Sequence, residues 1–126
     1  MKEKIETQDA PTAIGPYSQA ISAGGFIFTS GQIALIPGTS DLDMADIRTE
    51  TKRVMINLDA VLKAAGSKMD HVVKTTIYLT DMNFYGDVND VYASFFNGVA
   101  PAREAVQVAG LPKGVHVEIS MIAIKA

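Results

Sequence analysis

Two charged side chains late in the sequence carry the chemistry open to this chain. After Pro101, the run Ala102-Arg103-Glu104-Ala105-Val106-Gln107-Val108 alternates with period two. Arg103, Ala105 and Gln107 therefore face one side of a strand, and Val106 and Val108 the other. A planar guanidinium offers two parallel donors that match a carboxylate, so Arg103 at the start of a strand is an anchor for a small acid, and Ala105 beside it leaves that acid room. The next strand carries His116, Glu118 and Ser120 on its polar side. Between the two, Leu111-Pro112-Lys113-Gly114 predicts a hairpin that brings Glu118 near Arg103. Such a pair also occurs as an ion pair that only ties neighbouring strands together, and the residues alone leave both readings open.

Two glycine-bearing segments stand beside this pair as candidates. Gly15-Pro16-Tyr17-Ser18-Gln19 contains a Gly-Pro step that forces a turned or extended backbone. In Thr29-Ser30-Gly31-Gln32 a glycine directly after a strand lets the backbone come close to a ligand or another chain. Either segment taken alone also reads as ordinary turn punctuation. Other chemistries lack their residues: no G-x-S-x-G elbow, no phosphate-binding loop and no G-x-G-x-x-G turn is present, and His71 and His116 have no metal-ligand spacing. Asp41, Asp43 and Asp46 resemble the opening of a calcium loop, but Asp46 stands where glycine is needed and Lys52 where glutamate is needed, which makes them a helix-start cluster.

The elements that must hold these residues follow from periodicity. Ile47, Val54, Leu58, Val61, Leu62 and Ala65 recur at three- and four-residue spacing and predict an amphipathic helix from Ile47 to Ala65, begun by Asp43 and Asp46 and stopped by Gly66. A second helix is expected from about Asn83 to Phe96, weakened by Gly86. Strands are expected at Phe26–Ser30, Val72–Leu79, Ala102–Ala109 and Val115–Ile124, with weaker ones at Lys2–Thr7 and Ala20–Ser22. The order gives a single α+β domain spanning residues 1–126, its two helices on one face of a mixed sheet. The last strand is apolar on both sides near its end, so the uncovered face is expected to bind further copies of the chain.

Composition narrows the classes further. With 126 residues, 48% of them hydrophobic, the chain can bury the core of one domain. The absence of cysteine removes disulfides, thiol nucleophiles and cysteine-ligated metals. A net charge of -3 with scattered basic residues counts against nucleic acid as a partner. No apolar run is long enough to span a bilayer, and the mixed charges of MKEKIETQDAP are unlike a secretory signal, so the expected location is the cytoplasm.

The candidate residues lie in six stretches: Ala13-Ile14-Gly15-Pro16-Tyr17-Ser18-Gln19-Ala20, Phe28-Thr29-Ser30-Gly31-Gln32-Ile33, Val73-Lys74-Thr75-Thr76, Val88-Asn89 with Tyr92 and Phe95-Phe96, Pro101-Ala102-Arg103, and Val117-Glu118-Ile119. In this order they resemble the reactive-intermediate deaminase family, also called the RidA or YjgF family, over essentially the whole chain. The resemblance implies a chorismate-mutase-like fold in a barrel-like homotrimer with clefts between subunits. It implies hydrolysis of 2-iminobutanoate and 2-iminopropanoate to 2-keto acids and ammonia, without metal or organic cofactor. Arg103 would then bind the substrate carboxylate, Glu118 would orient and activate water, and Tyr17, Ser30, Gly31 and Asn89 would line the cleft, Asn89 from a neighbouring subunit. Two departures stand out: Ala105 occupies a position where many members have cysteine, and the connection Asn97–Ala100 is short, which bears on substrate range. Two other functions are consistent with the resemblance, a ribonuclease or translation inhibitor and a non-enzymatic 2-keto-acid-binding or chaperone-like trimer.

Overall fold

A computed structural model describes residues 1–126 as six strands and two α-helices. In chain order these are β1 (Glu3–Ile5), β2 (Ala20–Ala23), β3 (Phe26–Thr29), α1 (Ile47–Ala64), β4 (Val72–Leu79), α2 (Tyr85–Ala93), β5 (Ala102–Gln107) and β6 (Val117–Ile124). One sheet runs β1-β2-β3-β6-β4-β5, and only the β4–β5 pair is parallel.

Helix α1 begins where the Asp46 carboxylate accepts from the Thr49 N–H at 2.7 Å, satisfying one of the amides that a helix start leaves free. It ends before Gly66, whose φ of +77° is reached without strain only by glycine. Its apolar stripe Val54, Met55, Leu58, Val61 and Leu62 is wholly buried against Ile27, Leu79, Val117 and Ile119 of the sheet. At about 25 cal/mol per Å² of apolar surface this burial is the main force holding helix to sheet. Asp43 pairs with Arg53 at 3.3 Å, so the acidic cluster serves the helix start, as its spacing indicates. The second helix is shorter than its periodicity predicts, because residues 82–84 form a 3-10 turn before α2 starts.

The expected hairpin between the Arg103 strand and the Glu118 strand does not form. β4 lies between them, pairing parallel with β5 and antiparallel with β6. The reason is twofold. β4 and β5 are joined by a helical crossover, the connection that parallel neighbours require. The segment from Val108 to His116 is also no tight turn: it passes around the end of β4, where Val108 N–H donates to the Leu79 carbonyl and Thr80 N–H to that of His116. Central β4 buries Thr75, Ile77 and Leu79, whereas β5, the edge strand, stays largely exposed.

Both helices cover one face of the sheet. The open face carries Phe26 and Phe28, each 43% exposed with ring centroids 6.3 Å apart, next to Ile122 and Ile124 of β6. Val106 and Tyr78 continue it toward β5. This is the two-faced apolar sheet anticipated from the last strand.

Candidate active site

The sheet register sends Arg103 and Glu118 to opposite faces. Arg103 is level with Thr75, which is level with Met121, and both of these are buried beneath the helices. Glu118 is level with Tyr78, which is level with Val106, on the open face. Within one chain the two charged groups therefore do not meet, contrary to the expected convergence, because strands in register share facing and the two residues differ in parity across β4. Each organises its own recess.

The Arg103 recess, about 450 Å³, is floored by Tyr92, Ala93 and Phe96 and rimmed by Asn89, Gly98, Ala100 and Pro101. Tyr85, Asn89 and Tyr92 lie four and three residues apart and so share one side of α2. The guanidinium sits over both tyrosine rings, 5.4 Å from the centroid of Tyr85 and 5.2 Å from that of Tyr92. Its Nη1 donates to Asn89 Oδ1 at 2.6 Å and its Nη2 to the Tyr85 hydroxyl. Two of five N–H donors are thus used, and the others remain for a ligand. Below, the Tyr92 hydroxyl bonds the buried Thr75 Oγ1 at 2.7 Å, and burial raises the Tyr92 pKa, so a neutral ring lies under the cation. Ala105 packs on the core beside Ile77 and does not line this recess.

The Glu118 recess, about 400 Å³, lies on the other face among Tyr17, Gly31, Gln32, Leu35, Pro112 and Lys113. Four residues separate Phe28 from Gln32 on one side where three separate Ile119 from Ile122 on the other, so a bulge falls at the end of β3 beside Glu118. Gly31 leaves the space that the Glu118 carboxyl fills: a Cβ on it would stand 2.3 Å from Glu118 Oε2 and 2.8 Å from its Cδ, and the carboxyl would have to move. The carboxyl group thus lies directly against bare backbone, and burial raises its pKa above the ordinary glutamate value. Ser30 does not line the recess. Its Oγ donates to the Ser18 carbonyl at 2.6 Å and its N–H to that of Gln19 at 3.0 Å, tying the Tyr17 loop to the bulge. The buried Gln19 side chain fixes the other side of that loop, accepting from Thr7 N–H at 2.7 Å and donating to Pro11 carbonyl at 2.7 Å. Tyr17 itself stays 54% exposed over the recess.

Of the residues singled out by type and spacing, Tyr17, Gly31 and Glu118 come together on the open face and Arg103 lies on the covered face; Asn89, which the resemblance placed in the cleft from a neighbouring subunit, bonds Arg103 of its own chain. The sequence reading missed Tyr85, Lys113 and Glu50. Tyr85 had a signal in its four-residue spacing to Asn89. Glu50 had one too, a carboxylate three residues after Ile47 and four before Val54, inside the apolar stripe of α1. Lys113, at φ +56° the one non-glycine residue with positive φ, had none.

The family model described as Endoribonuclease L-PSP matches residues 7–125, and the chain, with its six-stranded sheet and two helices on one side, belongs to that family. Among its relatives, the 2-iminobutanoate/2-iminopropanoate deaminase of Mus musculus is 46% identical over 99% of this chain and 93% of its own length. A RutC family protein of Pyrococcus horikoshii is 50% identical over 99% of each chain. The crystal structure of E. coli TdcF with bound serine matches with a TM-score of 0.93 and 40% identity, over 98% of this chain and 99% of that one. These relatives bear out the resemblance drawn from the six sequence stretches.

Proposed function

We propose that this protein hydrolyses small reactive 2-imino acids, 2-iminobutanoate and 2-iminopropanoate among them, to 2-keto acids and ammonia. The cleft forms where the Arg103 recess of one copy meets the Glu118 recess of the next in a closed homotrimer. The observation that carries this reading is the chemical complementarity of the two recesses: each is incomplete alone, one cationic and one acidic, on opposite faces of one sheet. A ring of copies uses unlike surface patches at each contact, which is the geometry that joins two such halves. The open apolar face supplies the surface such a ring needs to bury.

Arg103, held by Asn89 and Tyr85, takes the substrate carboxylate in two parallel hydrogen bonds. Glu118 removes a proton from water as the water oxygen bonds to C2 of the protonated imine, and the C=N π pair moves to nitrogen. The proton then passes to the amine nitrogen. The C–N bond breaks as the hydroxyl oxygen forms the carbonyl, and its proton leaves with the ammonia as ammonium. The burial that raises the Glu118 pKa brings its basicity toward neutral pH, where transfer in both directions is efficient. Acid–base help of this kind is worth about 10²- to 10⁴-fold, enough for a substrate that also hydrolyses unaided. In this reading no cofactor enters the steps, and Tyr17 closes the exposed side of the cleft. The setting is the cytoplasm, where pyridoxal-phosphate enzymes release such imines.

The test couples a threonine dehydratase to the protein and follows imine loss. Arg103→Ala and Glu118→Gln should each abolish the acceleration. Refolded together in equal amounts, they should regain about a quarter of wild-type activity, since about three quarters of random trimers are mixed and each mixed trimer has one intact cleft in three. An Arg103→Ala variant as active as wild type refutes the role of Arg103, and a mixture that stays inactive refutes the shared cleft.

A further inference from the structure

Glu50 is the one Asp, Glu, Lys or Arg residue buried in the chain, and its carboxyl group has no Lys or Arg partner. It lies on α1 with no exposed surface, in line with Val54 and Leu58. Its Oε2 accepts from the N–H groups of His116 at 2.7 Å and Val117 at 2.9 Å, and its Oε1 shares a hydrogen bond with His116 Nδ1 at 2.9 Å. The grip thus falls on the amides of the two residues immediately before Glu118. Seven residues along the same helix, the buried Asn57 Nδ2 donates to the carbonyls of Ile33 at 3.1 Å and Leu35 at 2.9 Å, two residues that line the Glu118 recess. Apolar residues at these two helix positions would leave those backbone groups without their partners. The two polar side chains tie the segment before Glu118 and the segment after Gly31 to one helix.

We infer that Glu50 is a positioning residue for imine hydrolysis: by holding the His116 and Val117 amides it sets the height of the Glu118 carboxyl against Gly31. The inference rests on the reading of Glu118 as the group that activates water. Displacements of about 1 Å in such a group cost up to about 10²-fold in rate. In the proposed shared cleft the substrate carboxylate is held by Arg103 of a neighbouring copy, so the grip acts on the step at C2 and not on the carboxylate anchor.

Steady-state kinetics on the full-length protein, with 2-ketobutyrate binding as the readout of the Arg103 recess, test it. Glu50→Met, which keeps the length but offers the two amides no oxygen, should lower kcat by about 10- to 100-fold and leave KM and the 2-ketobutyrate Kd unchanged. Glu50→Asp, which keeps the carboxyl group but draws it back by one methylene, should show the same split. His116→Asn, which keeps both gripped peptides, should retain wild-type kcat. A role in stability alone would lower kcat only by the unfolded fraction and would be reversed by cooling. A folded Glu50→Met or Glu50→Asp protein with wild-type kcat overturns the inference, as does loss of the fold in both. Glu118→Gln separates the two levels: full activity there refutes the reading of Glu118, whereas an inactive Glu118→Gln beside a fully active Glu50→Met refutes the positioning role alone.

Discussion

Glu118 combines two properties that work against each other. Burial raises its pKa, so between the ordinary glutamate value of 4.5 and the raised folded value the native chain binds more protons than the unfolded one. Stability therefore falls as pH rises through that window, and above it the full destabilisation is present. In an Arg103→Ala background, which removes the cation expected to face it, Glu118→Gln should raise Tm at pH 7, and the gain should vanish below about pH 4.5; thermal melts across pH check this. The deaminase rate should move in the opposite direction, rising with pH as the base form appears. Gly31→Ala probes the same carboxyl from its other side. The added Cβ displaces only a flexible side chain, so Tm should hold while activity falls at least about tenfold.

Among the elements, α1 is overdetermined and α2 is not. Its cap, its apolar stripe and its glycine stop all agree, and α1 is also tied to α2 through Arg48, which reaches Asp87 at 3.1 Å and Asp90 at 3.4 Å. These exposed pairs add little. α2 spans only nine residues and carries Gly86 in its first turn, beside the Tyr85 that holds Arg103. A Cβ at Gly86 meets no atom within 4 Å, so Gly86→Ala should stabilise the protein by up to about 1 kcal/mol, read from the urea midpoint. β5 depends on α2 in turn, because the parallel pairing of β4 and β5 exists only through this crossover.

For the molecule as a whole, the proposed homotrimer makes the open sheet face the condition on which the two recesses work together. Phe26, Phe28, Ile122 and Ile124 form an apolar patch that a lone copy would leave in water. Under that proposal Phe28→Lys should yield monomers on size-exclusion chromatography with light scattering and remove deaminase activity together with association. Thr75, Met121 and the core beneath the helices are untouched by this change, so the circular dichroism of the monomer should stay native.

The existence of both helices and of the strands, the apolar second face and the two candidate charged groups were legible from residue order alone, because each is a local property: periodicity, capping or the chemistry of one side chain. The ends of α2 were not, since residues 82–84 turn into a 3-10 form and the helix stops at Ala93. How the charged groups relate was settled by the folded arrangement. Strand order places β4 between Arg103 and Glu118, and residue parity turns them to opposite faces, since pairing partners are chosen by long-range contacts and by the crossover through α2 rather than by neighbouring residues. The Gly-containing turn at Leu111–Gly114 looked like a hairpin because turn chemistry records that the chain reverses, not which strand it reverses beside.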